Sequence, residues 1–482
     1  MTTRSSTAED RRTTTYASGR SHRARRLHVL RADVFGALTV LLVVIAIALW
    51  VRGGGIEHNV GPGSVPSSLG RVTGLVASVL LLLQVLLMAR IPWVERTWGQ
   101  DVLARRHRLV GFASFHLMVA HIVLITIGYA EAGRAPVLAQ TWTEVTTYPG
   151  MLLATAGTAA LVVVVVTSVR AARRRLRYES WHLLHLYAYL GVGLALPHQL
   201  WAGTDFTRSQ AATVFWWGLW ACATLAVIAC RIALPILRSL RHRIQVDEVI
   251  DEGPGVVSVV MSGRRLDRAG LRAGQFCQWR FLGGRGWTRA HPFSLSAMPT
   301  GDRLRITAKF LGDGSRALKD LRPGQRVLFE GPYGRMTPER RHRRDVLMVC
   351  AGIGITPMRA LAEHILNEGA SFDSGRLRRP AVTILHRVQA PADQTFAAEF
   401  AYLSRRADLT VVPLIGRRSE HSSIFPGPDE VDPQRRLPTL VSGLVSREVY
   451  LCGPRSFMHE ARRHLVAAGV PEQQIHAEEF QW

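Results

Sequence analysis

The sequence predicts a multidomain chain: a six-helix transmembrane bundle, then an antiparallel β-barrel, then a doubly wound α/β domain. Three observations predict it. Six apolar stretches of about 20 residues fill the first half, each long enough to cross a hydrocarbon core. From about Arg241 apolar and polar residues alternate between Gly-rich turns, the period of half-buried strands. From Asp345 strand patterns alternate with helical ones, the order of a parallel sheet covered by helices. At 482 residues the chain accommodates these parts as separate domains, bounded at 33–238, 241–340 and 341–482 after a tail over 1–32.

The tail is rich in Ser, Thr and Arg without apolar periodicity and is read as disordered, with no cleavable leader before the first span. The formal charge of +24 does not point to nucleic acid, because the arginines gather at helix ends rather than on one recognition element. Five cysteines, at 222, 230, 277, 350 and 452, show no zinc or disulfide spacing.

The six spans are Asp33 to Val51, Leu69 to Ala89, His107 to Tyr129, Gly150 to Val169, Trp181 to His198 and Ala211 to Leu237. Arginines crowd before span one and after spans two, four and six, whereas the opposite loops hold only Arg52, Arg134 and Arg208. By the positive-inside rule both termini are cytoplasmic, spans three and five run in the same direction, and the membrane is the inner, cytoplasmic one.

Span three carries His107, His116 and His121. Fourteen residues separate the first from the last, about 21 Å of rise with only about 40° of rotation, so both look out from one face near opposite membrane surfaces. His116 faces away and is read as a packing or hydrogen-bonding residue. Span five supplies His182, His185 and His198; the thirteen residues from His185 to His198 give about 19.5 Å of rise, which matches span three in depth. Heights therefore pair His107 with His185 and His121 with His198, with His182 a rival to His185. The rotation of about 220° fits less well and asks for a local bend near Gly191, Gly193 or Pro197. Paired imidazoles at two depths between helices suit two b-type haems stacked across the bilayer. A proton relay or interhelical hydrogen bonding would explain one such histidine, but four at matched depths much less well.

In the barrel region, Arg289 to Ser296 contains His291, Pro292, Phe293 and Ser294. Ile306 to Ser315 follows with Lys309, Gly312 and Ser315, and then Gly331, Pro332, Tyr333 and Gly334. Glycines let the backbone approach a ligand, Arg289 and Lys309 can neutralise a pyrophosphate, and Ser294 can hydrogen-bond a ring nitrogen. In the last domain a strand over Asp345 to Cys350 leads into Ala351-Gly-Ile-Gly-Ile-Thr-Pro357 and a helix, an arrangement whose free N–H groups receive phosphates. Further βα units follow, with a Pro-rich excursion from Ser419 to Pro438.

Taken together, the motifs of the C-terminal half resemble the ferredoxin-NADP reductase superfamily. The chain from 33 to 482 resembles the bacterial branch of the NADPH oxidase and ferric reductase transmembrane family. The resemblance implies that Ser294 sits against the flavin of FAD, with Lys309 near its phosphates. It implies that Gly352, Gly354, Thr356 and Pro357 cradle the pyrophosphate of NADPH or NADH, with Leu451-Cys452-Gly453-Pro454 beside the nicotinamide. It also implies a C-terminal aromatic lid over the flavin, Trp482 or else Phe480. The histidine spacing matches the family's two-haem pattern, favouring His185. Arg387 is a candidate for a 2′-phosphate, with Arg417 and Arg418 as alternatives and solvated surface charge as the bland reading.

The expected function is transfer of electrons from cytoplasmic NAD(P)H through FAD and two haems to an extracytoplasmic acceptor, oxygen or ferric iron. Oxygen-reducing members of the family carry a further histidine one turn beyond the outer ligand of span three; here that residue is Ile125, and the short outer loops show no cysteine or acidic cluster. Alternatives are delivery to quinone or to an extracytoplasmic partner protein, and, from another class, a transporter or metal-binding module fused to a regulatory reductase. The expected partners are membrane lipid and a small-molecule acceptor, without nucleic acid.

Overall fold

The computed structural model describes residues 34–57, 60–169, 178–283, 289–368, 371–373, 376–417, 424–426 and 433–478; the basic tail lies outside these residues. Two compact units divide the chain, one ending at Arg231 and one running from Ile232 to Gln481.

Apolar runs make the first unit helical. Its helices are α1 (Val34–Arg52), α2 (Ser64–Met88), α3 (Pro92–Trp98), α4 (Gln100–Gly133), α5 (Val137–Thr147), α6 (Met151–Ser168), α7 (Tyr178–Trp201) and α8 (Gln210–Val227). Among the described residues five helical runs are long and apolar enough to cross a membrane: Val34–Arg52, Ser64–Met88, Val102–Gly133, Met151–Ser168 and Gln210–His242. The expected fifth span is α7, which carries three histidines and Pro197 and is not among those five. Nor is span six one regular helix. A π turn at Ile228–Ala233 joins α8 to α9 (Leu234–His242), and Arg231 in that turn donates from Nη1 to Met88 O at 3.3 Å and to the Tyr189 hydroxyl at 3.4 Å. The short helix α5 was not foreseen.

Small residues set the helix spacing, as they do where lipid supplies no hydrophobic drive. A Cβ added at Gly157 of α6 would lie 2.7 Å from Gly191 O of α7, and one added at Gly191 would lie 2.9 Å from Gly157 O, so these backbones touch. Val79, Leu82, Trp216 and Leu219 form the apolar centre of the unit. Arg71 of α2 is ion-paired to Asp205 in the 3-10 turn after α7, with Nε to Oδ2 at 2.8 Å.

The second unit begins with strands β1 (Gln245–Gly253), β2 (Val256–Ser262), β3 (Phe276–Phe281), β4 (His291–Ser294), β5 (Arg303–Lys309) and β6 (Val327–Tyr333). The barrel expectation resolves into two three-stranded antiparallel sheets, ordered β1-β2-β5 and β4-β3-β6. Isolated bridges join them at Gln245–Arg326 and Leu295–Ile306, and they share a core containing Val259, Met261, Trp279, Ile306 and Phe329.

Next come β7 (Val346–Ala351), α10 (Ile355–Asn367), β8 (Val382–Val388), α11 (Ala397–Ser404), β9 (Leu409–Ile415), α12 (Pro433–Leu440), β10 (Glu448–Cys452), α13 (Arg455–Ala467) and β11 (Ile475–Ala477). All five strands pair in parallel in the order β9-β8-β7-β10-β11. Strand order therefore reverses between β7 and β10, and their carboxyl ends flank the crevice where open α/β sheets bind ligands.

A charge network links the antiparallel sheets to the α/β layer. Arg305 of β5 meets both oxygens of Glu399, at 2.7 and 3.0 Å, and Arg359 of α10 donates from Nε to Glu399 at 2.7 Å. Burial alone would raise the Glu399 carboxyl, but hydrogen bonds from the Arg305 guanidinium and the charge of Arg359 outweigh it and hold the carboxyl below its ordinary range. A depressed folded pKa contributes stability fully above the unfolded value of about 4.3, and that stability is lost as pH falls through the folded value. Glu399→Gln is expected to lower stability at pH 7 by about 1–3 kcal/mol, between exposed and buried ion pairs. In circular-dichroism melts of the full chain the gap from wild type should close on acidification below about pH 4.

Candidate functional sites

Each unit builds one site. In the first, α4 and α7 present the four histidines. The His107 and His185 rings stand 5.9 Å apart between centroids, at an interplanar angle of 67°. His121 and His198 stand fourteen and thirteen residues further along the same two helices. The His107–His185 contact agrees with the inner pairing expected from helical rise, and Pro197 lies inside α7 one residue before His198. His185 is a residue that meets His107. His116 instead bonds its own helix, Nδ1 to Phe112 O at 2.8 Å.

Backbone carbonyls of α2 fix the orientation of two of these rings. His121 Nδ1 donates to Gly70 O at 2.7 Å, and His107 Nδ1 lies 3.3 Å from Gln84 O. Gly74, one turn from Gly70, makes room: an added Cβ would stand 2.5 Å from His121 Nδ1. On α7, His185 Nδ1 lies 3.3 Å from Ser168 Oγ. On His107, His121 and His185 the occupied Nδ1 leaves Nε2 as the free electron-pair donor, as in metal-ligating histidines. Two imidazoles sharing one metal at about 2 Å each have centroids roughly 6 Å apart, so His107 and His185 fit a bis-imidazole centre. No group of three or more His, Cys, Asp or Glu with metal-site geometry occurs among the described residues; the histidines stand in pairs.

The second site occupies the crevice between β7 and β10, where Cys350 and Cys452 lie side by side in register. The Gly352–Gly354 turn leads directly into α10, whose N-terminus has no side-chain cap, so its first N–H groups point into the crevice. Gly354 is required by proximity: a Cβ there would lie 2.5 Å from Cys452 O and 3.1 Å from Gly453 N. Gly352 has φ +52 and open space where a Cβ would be. His386, which sequence reading passed over because it looks like a core residue of β8, holds this turn with Nε2 3.1 Å from Gly352 O. Burial lowers its pKa, against the smaller opposing effects of the Gly352 carbonyl and the Asp393 charge. Thr356 is buried and donates to Ile353 O at 3.0 Å, closing the turn rather than facing a ligand. Pro357 continues α10, and Pro454 precedes α13.

Several expected roles are corrected. Arg387 is buried, and its Nη1 donates to the carbonyls of Val388, Leu414 (3.1 Å) and Gly416 (2.7 Å), which ties β8 to β9 instead of offering a cation to a 2′-phosphate. Arg417, exposed just beyond β9, remains; Arg418 lies outside the described residues. The Cys452 thiol is turned into the core and burial pushes its pKa up, so this residue offers the crevice its backbone and not a reactive sulfur. Lys309 pairs with Asp393 at 3.2 Å. Ser315 caps its own turn, accepting from the N–H groups of Leu311 and Gly312.

The remaining flavin-motif residues gather around β3, β4 and β6. Ser294 is buried at the end of β4 opposite Phe276, and Phe293 O accepts from Trp279 Nε1 at 3.0 Å. His291 and Pro292 precede them on β4, and Arg289 is exposed just before it. The Tyr333 ring lies 5.7 Å from that of Phe276, tilted by 51°, and its hydroxyl donates to Glu330 at 2.7 Å, between Gly331 and Gly334. Phe480 and Trp482 lie outside the described residues.

Residues 73–196 match the ferric reductase like transmembrane component family, and residues 348–463 match the oxidoreductase NAD-binding domain family. The ferredoxin reductase component of a 3-ketosteroid-9-alpha-monooxygenase from Mycolicibacterium smegmatis is 31% identical over 49% of this chain and 65% of its own length. A Vibrio cholerae flavohemoprotein is 27% identical over 41% of this chain and 48% of its own. The chain thus spans less than two thirds of either relative. Among solved structures, the FAD/NAD-binding domain of a Vibrio cholerae nitric oxide dioxygenase aligns with 50% of this chain and 99% of its own at 25% identity and a TM-score of 0.39. A Neisseria gonorrhoeae ferredoxin NADP+ reductase aligns with 49% and 97% at 20% identity and the same score.

Proposed function

We propose that this chain, a ferric reductase-like transmembrane component joined to an FAD/NAD-binding oxidoreductase module, is a transmembrane flavocytochrome b. It passes electrons from cytoplasmic NAD(P)H to an acceptor on the far side of the inner membrane, by the family resemblance oxygen or ferric iron. The observation that carries the reading is the His107–His185 pair, with ring centroids 5.9 Å apart on two helices within the membrane component, and with His121 and His198 fourteen and thirteen residues further along the same helices. The arginine asymmetry supports cytoplasmic termini.

When bound, FAD takes a hydride and gives up electrons singly, and b-type haems carry them one at a time. The chain's own part is to bind and orient. The N-terminus of α10 and the bare backbone at Gly354 receive a dinucleotide pyrophosphate. His386 holds the Gly352 carbonyl away from it. His107 and His185 would hold one haem and His121 and His198 the other, with Gly70 O and Gln84 O setting ring orientation.

Dithionite-reduced minus oxidised spectra of the purified chain are expected to show b-type bands with a stoichiometry of two haems per flavin. Flavin without such bands would sink the two-haem reading and favour a transporter or metal-handling bundle with an attached reductase.

A further inference from the structure

We propose that Glu144 is the proton donor of an acceptor site at the His121 end of the bundle, and that the acceptor is a quinone drawn from the membrane. This rests on the electron-transfer reading above and puts a quinone in place of the oxygen or ferric iron that the resemblance implies.

Helix α5 is inside out. Glu144 is its one carboxylate, only 6% exposed, while Leu138 is 86% and Trp142 72% exposed. A helix with that polarity lies against lipid and holds its carboxylate inward. The partners of the carboxylate are neutral: Thr126 of α4 donates to Oε2 at 2.8 Å and Gln140 to Oε1 at 3.1 Å. Arg71, the cation of this cluster, is committed to Asp205. Thr126 lies five residues beyond His121 on α4, and Arg71 follows Gly70, whose carbonyl accepts from His121 Nδ1, so the carboxylate sits at the His121 end of the bundle. Tyr129 and Tyr148, 41% and 42% exposed with rings 6.3 Å apart, put two phenols on the lateral surface beside the buried acid.

An intramembrane carboxylate is costly and marks a path for ions or protons. Single-electron reduction of oxygen or of a ferric chelate forms no O–H bond and has no use for it. Quinone reduction forms two. NAD(P)H supplies two electrons and releases its proton at the nucleotide site. At the other end each quinone oxygen gains a proton as the Glu144 O–H bond breaks, and Glu144 is reloaded from water between the two transfers. The exposed tyrosine hydroxyls can hydrogen-bond the carbonyls of a quinone.

The test uses the full chain in sealed proteoliposomes with NADPH inside, decylubiquinone in the membrane as one acceptor and ferricyanide outside as a proton-free one. Glu144→Gln is expected to lower the quinol-to-ferricyanide rate ratio at least tenfold, the low end of what a lost general acid costs being larger still at roughly 100-fold. Its b-type spectrum should be unchanged, and Glu144→Asp should recover part of the ratio. An unchanged ratio overturns the assignment, as does a wild type that reduces ferricyanide but not the quinone. Should the glutamine variant fail to keep its spectrum, the ratio in Glu144→Asp decides in the same way. Loss of b-type bands in the wild type itself would sink the electron-transfer reading, and the spectrum tells that failure apart from failure at Glu144.

Discussion

Replacing His121 with alanine is expected to remove about half of the reduced-minus-oxidised b-type signal, since one of two bis-imidazole centres loses a ligand. NADPH-to-dye activity should persist, because the crevice between β7 and β10 and the strands β3, β4 and β6 contain no part of this helix. Transfer to an external acceptor should fall by more than the roughly 10–100-fold that loss of a mere outer-shell partner costs a metal site. Ring geometry makes the variant clean. The imidazole hangs from Gly70 O and rests against bare Gly74, and its removal leaves a cavity rather than a clash. Equal loss of dye activity and external transfer would place His121 in general folding, and retention of the full spectrum would deny it a haem.

What could be read from the sequence follows a physical divide. Five of the six expected spans coincide with helices long and apolar enough to cross a bilayer, and they were legible because a bilayer demands about 20 apolar residues regardless of neighbours. Alternation of strands and helices gave away the parallel sheet, and the Gly352–Gly354 turn and Cys452–Gly453 fell on adjacent strands at the point where strand order reverses. Misreadings arose where a side chain's role depends on a distant partner. Lys309 is taken by Asp393, 84 residues away, and Arg387 by carbonyls of β9. No local pattern reveals such commitments, and an arginine at a strand end reads the same whether it is a ligand or a brace. Glu144 was missed for the opposite reason. A loop whose two acids, Glu131 and Glu144, stand thirteen residues apart has no acidic cluster, and only the fold shows that α5 turns Glu144 inward.

The turn at Gly354 gives the sharpest test of the nucleotide site. Alanine there would put a methyl 2.5 Å from Cys452 O, inside any tolerable contact, and both groups are backbone or tied to backbone. Either the turn or the end of β10 must move, and overpacking of this kind costs about 1–3 kcal/mol. If the displacement is spent at the crevice, NADPH affinity should weaken roughly 5- to 150-fold, read as a rise in the Kd for NADPH with the b-type spectrum intact. Gly312→Ala is the matched control. That glycine has φ −169, an extended conformation open to any residue, and nothing within 4 Å of an added Cβ. It should change neither NADPH binding nor stability. If Gly354→Ala binds NADPH as tightly as wild type, the β7 turn and β10 are not held together when the nucleotide is present. Binding would then have to open the crevice, and the pyrophosphate would rest on the N–H groups of α10 alone.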